Sequence, residues 1–160
     1  MTLAYTSTLF DHDVDTVWSV LGDFHGLPPW VGIIRESVPE DGDTPGAVGS
    51  VRRLTVDPDG HTTRERLLAY DGMARKYSYG FADEPRFRVS SYVGTLRALP
   101  VTETGQTFVE WYGEFDALPD ADAERLTATF IGIYTRFLAD LRGHLTARAA
   151  TSAEPAVTGS

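Results

Sequence analysis

The sequence predicts an α+β fold in which a seven-stranded, curved antiparallel sheet wraps around one long C-terminal helix. Three observations predict it. A short helical pattern follows the first strand-like segment. About a hundred residues of alternating, β-branched and aromatic-rich pattern come next. One long amphipathic stretch then closes the pattern.

Residues 4–10 alternate weakly and read as a first strand. Asp13 caps a short helix whose apolar positions Val14, Val17, Trp18 and Leu21 share one face, and Gly22 ends it. Gly26 and the pair Pro28-Pro29 break any continuation, so a single turn leading into an extended segment is expected before Trp30. Strands are expected at 33–38, 51–56, 62–70, 75–82, 89–101 and 107–117. Asp57-Pro58-Asp59-Gly60 between the third and fourth has the composition of a type I hairpin turn with a bulge at Gly60. Asp120 is the expected N-cap of the last helix, with Asp122 and Glu124 complementing its positive end. Leu126, Phe130, Ile133, Phe137, Leu141 and Leu145 form its apolar stripe, widened by Ile131, Tyr134 and Leu138. A helix of about 28 residues spans on the order of 40 Å, enough to cross a small domain. One domain over 1–150 and a flexible C-terminal tail over 151–160 are therefore expected.

Composition excludes several function classes. The chain of 160 residues has no Cys, which removes disulfides, thiolate metal sites and Cys nucleophiles. His12, His25, His61 and His144 are scattered without metal-ligand spacing, so no metal is expected. The loop glycines Gly42, Gly46 and Gly49 precede a strand rather than a helix, which argues against a phosphate loop. A net charge of -9 argues against nucleic acid and anionic membranes. No run approaches the ~18 apolar residues of a membrane span. Residues 1–10 lack a signal-peptide pattern, and a cytoplasmic location is expected. Ten of the 14 basic residues nevertheless lie between Arg35 and Arg97.

A long curved sheet and a single helix leave space that side chains do not fill, so an apolar cavity is expected between them. Glu65 is the carboxylate expected to line it, sharing a face with Leu67 and Ala69. Desolvation there would raise its pKa and suit it to general acid or base work. The alternative is an ion pair with an arginine of the neighbouring strand that only shapes the pocket. Arg52 shares parity with Leu54 and Val56, which favours it as the inward residue; a bulge at Gly60 would favour Arg53 instead. Both remain candidates for holding a ligand oxygen. Tyr77, Tyr79 and Tyr92 are phenols able to donate to an enolate oxygen. Trp30, Phe81, Trp111 and Phe115 are candidate pocket wall, joined by Phe130 and Tyr134 from the helix, and Trp30 is also a candidate gate. His25 is a minor acid/base candidate.

The ordered set Val17-Trp18, Gly22-Asp23-Phe24, Trp30, the run from Pro45 to Arg52, Arg64-Glu65-Arg66-Leu67, Tyr70-Asp71, Tyr77-Ser78-Tyr79, Val109-Glu110-Trp111 and Phe115 resembles the START-like (SRPBCC) superfamily. That superfamily shares the birch-pollen-allergen fold, and the resemblance is to its bacterial polyketide cyclase/dehydrase-like subgroup. It implies a helix-grip fold and a hydrophobic, carbonyl-rich small-molecule ligand. It also implies no cofactor, a role in secondary metabolism, and a monomer or homodimer. Three readings follow. The first is a cofactor-independent cyclase/dehydrase, with Glu65 moving protons while Arg52 or Arg53 and the tyrosine hydroxyls stabilise oxyanions. The second is a non-catalytic carrier or sensor of a lipid-like or aromatic molecule. The third is a domain that binds client proteins. A Glu65→Gln exchange is expected to leave folding nearly intact on the first reading.

Overall fold

The computed structural model describes residues 1–153. Seven strands and two helices follow the expected order: β1 (Thr2–Phe10), α1 (Val14–Leu21), β2 (Ile34–Pro39), β3 (Val51–Val56), β4 (His61–Asp71), β5 (Lys76–Phe81), β6 (Val89–Pro100), β7 (Thr107–Ala117) and α2 (Ala123–Ala153). The strands form one antiparallel sheet in the order β1-β7-β6-β5-β4-β3-β2. Bulges interrupt the pairing in three places, between Ile34 and Glu36, between Leu67 and Ala69, and between Val89 and Ser91. Each bulge bends its strand and increases the local twist, which helps the sheet to curl.

Asp13 caps α1 as its sequence position predicts: Oδ2 accepts the Thr16 N–H at 3.1 Å and Oδ1 accepts the Thr16 hydroxyl at 2.5 Å. Gly22 ends the helix with its N–H on the Trp18 carbonyl, and any side chain there would collide with the Trp18 indole. The segment from Asp23 to Ile33 forms successive turns rather than one turn and an extension. The Gly26 N–H donates to the Asp23 carbonyl and the Trp30 and Val31 N–H groups donate to the Leu27 carbonyl. The Gly32 N–H donates to Asp140 Oδ2 at 2.9 Å, which fastens these turns to α2.

The cap of α2 differs from expectation. The helix begins at Ala123, and Asp122 Oδ1 accepts the Arg125 N–H at 3.0 Å. Asp120 instead pairs with Arg88. A carboxylate has to stand immediately before the first helical residue to reach that N–H, and Asp122 does. The buried spine of α2 is Phe130, Tyr134, Leu138, Leu141 and Leu145, with Ile133 and Phe137 half-buried beside it. The helix continues through Ala153, three residues past its expected end at 150. The rest of the expected tail, 154–160, lies outside the described residues.

The turn at 57–60 is also corrected. Pairing runs without interruption from Val51↔Arg66 to Val56↔His61, so the expected Gly60 bulge is absent. Gly60 adopts a φ of 70°, which permits the reversal without an extra residue, and the Asp57-Pro58 peptide is cis. Because no residue is inserted, Arg52 stands opposite Glu65, and Arg53 faces outward.

Asp122→Ala is expected to lower stability by about 1 kcal/mol, whereas Asp120→Ala removes only an exposed ion pair and should leave the urea midpoint unchanged. Equal losses in both variants would return the cap to Asp120.

Candidate functional site

A cavity of about 130 Å³ lies between the concave face of the sheet and the N-terminal half of α2. Side chains alternate across a strand, so its walls come from one parity on each: Arg52, Leu54 and Val56 on β3; His61, Thr63 and Glu65 on β4; Tyr79 and Phe81 on β5. Tyr92 and Trp111 come from β6 and β7, and Phe130, Ile133, Tyr134 and Phe137 from α2.

Two polar systems stand in this largely apolar surround. The first is centred on Arg52, which is 1% exposed. Its Nε and Nη2 donate to Glu65 Oε2 at 2.8 and 2.6 Å, and its Nη1 donates to the Phe24 carbonyl at 2.6 Å. The guanidinium lies 4.1 Å from the Phe24 ring centroid and 5.2 Å from that of Tyr79. Burial works against the charge, but the Glu65 carboxylate and the neighbouring phenols of Tyr77 and Tyr79 outweigh it and raise the pKa. Arg52 is therefore a permanent buried cation with Glu65 as its counter-charge.

The second system is a run of three phenols. The Trp111 indole N–H donates to the Tyr79 hydroxyl at 3.0 Å. Tyr79 and Tyr92 hydroxyls are 3.4 Å apart, and those of Tyr92 and Tyr134 are 2.5 Å apart. Burial pushes the pKa of Tyr79 and of Tyr92 well above that of an ordinary phenol, and it raises Tyr134 too. All three are donors at neutral pH.

Glycine makes room for these rings. Tyr79, Gly94, Gly113 and Ala4 lie in one row across β5, β6, β7 and β1. A Cβ on Gly94 would strike the Tyr79 ring, and one on Gly113 would strike the Tyr134 hydroxyl and come within 2.9 Å of the Tyr92 ring.

Eight of the twelve residues singled out from the sequence line the cavity: Arg52, Glu65, Tyr79, Phe81, Tyr92, Trp111, Phe130 and Tyr134. Four do not. Tyr77 is buried behind Arg52, edge-on to Phe24 and stacked on Tyr70. Phe115 is core, packed against Phe130 from the sheet side. Arg53 is exposed beside Arg64 on the convex face, because its parity is opposite to that of Arg52. Trp30 is 4% exposed and lies within the core, so it does not gate a mouth. Glu65 shares its face with Leu67 but not with Ala69, because the bulge after Leu67 flips the strand and turns Tyr70 towards Tyr77. His25 stands off the cavity, with Nε2 3.3 Å from the Ser50 hydroxyl. Burial, then the Arg52 charge, lower its pKa.

The sequence reading did not single out Leu54, Thr63, His61, Ile133, Phe137 or Phe87 as site residues. The first five share parity or stripe with named residues, so strand alternation and helix period carried their signal. Phe87 had none. It sits in the irregular loop 82–88, where its ring lies 6.0 Å from Phe81 and 4.9 Å from Phe130. Next to it, Arg86 Nη1 donates to Asp59 Oδ2 at 3.0 Å, and Asp59 Oδ1 also contacts His61 Nδ1 at 2.5 Å. Those hydrogen bonds hold the Asp59 carboxyl well below the usual carboxylate range. Asp59 thus bridges the turn 57–60 to the loop 82–88 on the side where Val56, His61 and Phe87 are only half-buried. Among the described residues no group of His, Asp or Glu side chains is placed to hold a metal. No helix among them is long and apolar enough to cross a membrane.

Residues 1–146 match the family described as polyketide cyclase/dehydrase and lipid transport. The chain belongs to that family. No curated protein matches the sequence. Among solved structures it is similar to the protein XoxI from Bacillus cereus, at 31% identity and a TM-score of 0.79, covering 91% of this chain and 96% of that one. It is likewise similar to a protein from Nitrosospira multiformis, at 28% identity and a TM-score of 0.76, covering 93% and 99%. A major latex-like protein from Panax ginseng shares the fold at 19% identity and a TM-score of 0.72, covering 89% and 96%.

Removing Glu65 would leave the buried guanidinium without a counter-charge, which replaces the expectation that Glu65→Gln spares the fold. Glu65→Ala is expected to cost about 3 kcal/mol in urea unfolding. The pair Arg52→Met with Glu65→Leu should recover most of that loss. A double variant no more stable than Glu65→Ala would mean that the charge is not what the partner answers.

Proposed function

We propose that this cavity binds a hydrophobic, carbonyl-bearing small molecule and promotes its enolisation, ring closure and dehydration without a cofactor, in the cytoplasm. The observation that carries the reading is a count of protons. Three neutral phenols supply three O–H groups, but only two hydroxyl–hydroxyl contacts link Tyr79, Tyr92 and Tyr134. The Trp111 N–H adds a further donor to the same run. One phenolic proton is therefore left over in the run, beside the cavity. In an apolar surround that proton is strongly drawn to a carbonyl oxygen.

A ligand carbonyl held there develops negative charge on oxygen as an α-proton leaves for a base. Glu65 Oε1, the carboxylate oxygen outside the pair with Arg52, is the candidate base. The enolate carbon then attacks a second carbonyl of the same chain, forming one C–C bond as that carbonyl's π bond opens. The new alkoxide takes the proton that Glu65 accepted, which restores the carboxylate while the phenols stay protonated as hydrogen-bond donors. Loss of that hydroxyl with a neighbouring proton releases water. Atoms and charge balance with no oxidant or reductant, and walls that hold the chain folded supply the proximity.

The carrier reading draws on a different observation. Glu65 Oε2 is committed to Arg52, and a carboxylate whose work is to neutralise a cation need not move protons. Deuterium exchange separates the two readings. A small 1,3-diketone is incubated with protein in D₂O, and loss of its α-proton signal is followed by NMR. Exchange above the buffer rate is expected, and Tyr92→Phe should slow it at least tenfold while weakening binding only severalfold. Intact binding with no exchange above buffer would sink the cyclase reading in favour of the carrier.

A further inference from the structure

We infer that the cavity selects neutral, single-ring carbonyl compounds, or the folded chains that close to one, and rejects carboxylates such as fatty acids. The inference rests on the reading of the cavity as the ligand site, and it concerns which ligand the site takes. Three observations carry it.

The first is charge. A ligand carboxylate buried in an apolar site needs a cation of its own, because an unpaired buried charge is prohibitively costly. Among the described residues, Arg52 is the only cationic side chain on the deep wall, and Glu65 already neutralises its charge. Nε and Nη2 serve Glu65, and Nη1 serves the Phe24 carbonyl. Its guanidinium also lies over the rings of Phe24 and Tyr79. An incoming anion would meet the Glu65 carboxylate as well. At the rim, His61 and the nearby Arg86 are both held by Asp59. Among the described residues, the deep wall therefore holds no cation without a carboxylate, and a ligand anion placed there would have none of its own.

The second is hydrogen-bond polarity. The leftover phenolic proton offers a donor, and a neutral carbonyl oxygen accepts it without carrying charge into the site. A hydrocarbon of the same shape forgoes that bond, which is worth about 1 kcal/mol net.

The third is size. The cavity measures about 130 Å³. An apolar protein cavity of about 150 Å³ holds a benzene-sized ring. Fused rings and long acyl chains exceed that volume. The glycine row already gives all the depth the sheet can offer, because its backbone lies directly behind the phenols.

A set of near-isosteric probes tests the inference on the unmodified protein. Acetophenone is the neutral ring ketone, benzoate its anionic match, and ethylbenzene the match without an acceptor. 2-Acetylnaphthalene adds a ring, and dodecanoate represents fatty acids. Binding is read by tryptophan fluorescence and by NMR shifts of the Phe130 and Tyr134 resonances. Acetophenone is expected to bind most tightly, ethylbenzene about fivefold more weakly, and the other three at least tenfold more weakly than acetophenone. Benzoate or dodecanoate matching acetophenone would overturn the charge selection. An equal affinity for 2-acetylnaphthalene would overturn the size selection. In both cases the cavity would still stand as a ligand site. If no probe shifts those resonances, that reading itself falls, and this inference with it.

Discussion

A guanidinium sealed behind a sheet has to be neutralised, and the rest of this fold is arranged so that Arg52 is. Its counter-charge is the residue directly across the β3–β4 ladder, so the pairing register and the ion pair enforce each other. A slip by one residue would turn Arg52 outward, away from the Phe24 carbonyl, and break its pair with Glu65. The third partner, the Phe24 carbonyl, belongs to the turns after α1. One side chain thereby ties the β3–β4 ladder to the irregular segment after α1. The cost of breaking such a pair is far greater than its net worth when intact. Its value is that alternatives are excluded, and the cavity inherits a floor with a defined position and no net charge.

Against that floor, the phenols depend on what the sheet lacks. Gly94 and Gly113 are paired neighbours, and both would be unfavourable in the middle of strands on propensity alone. Here they lower the sheet surface so that Tyr79 and Tyr134 lie where side chains of neighbouring strands would otherwise stand. Tyr134 from α2 meets Tyr92 and stacks on Trp111 with ring centroids 5.6 Å apart. The helix and the sheet are therefore joined by a hydrogen-bonded run as well as by apolar contact. Burial that keeps these phenols protonated also keeps them donors, so packing and chemistry come from one arrangement.

The architecture was legible in the sequence because period and punctuation agree there. The cap at Asp13, the stop at Gly22 and the stripe from Leu126 to Leu145 each follow from local rules. The site was legible as far as strand parity reaches: Arg52 by its parity with Leu54, and Tyr79 and Phe81 by alternation. It failed where one inserted residue changes parity. The bulge after Leu67 reversed the face of Ala69 and Tyr70, and the bulge expected at Gly60 did not form. Trp30 and Tyr77 were misplaced for a different reason. Periodicity says that a residue is inward, but it does not separate the cavity wall from the core behind it. Phe87 lies in a loop, where no period exists. Glu65 illustrates the same limit in chemistry, because its inward position was readable while its commitment to Arg52 depended on the register.

The two ends of the cavity are held by interactions of different kinds, and this bears on how a ligand enters. At the floor, the Arg52–Glu65 pair and the phenol run are buried, so water and salt weaken them little. At the rim, loop 82–88 is tied by Arg64–Asp83, Arg86–Asp59 and Arg88–Asp120, all of them substantially exposed. Exposed pairs contribute little and weaken further with ionic strength. Between them Phe87 rests on Phe130 through ring contact alone. Movement that admits a molecule is therefore least costly at this loop, where a few solvated ion pairs and one ring have to shift. The same movement at the floor would strand a buried charge. On the proposed reading of the cavity, a molecule that fits displaces only the rim, while the buried groups at the floor stay in place.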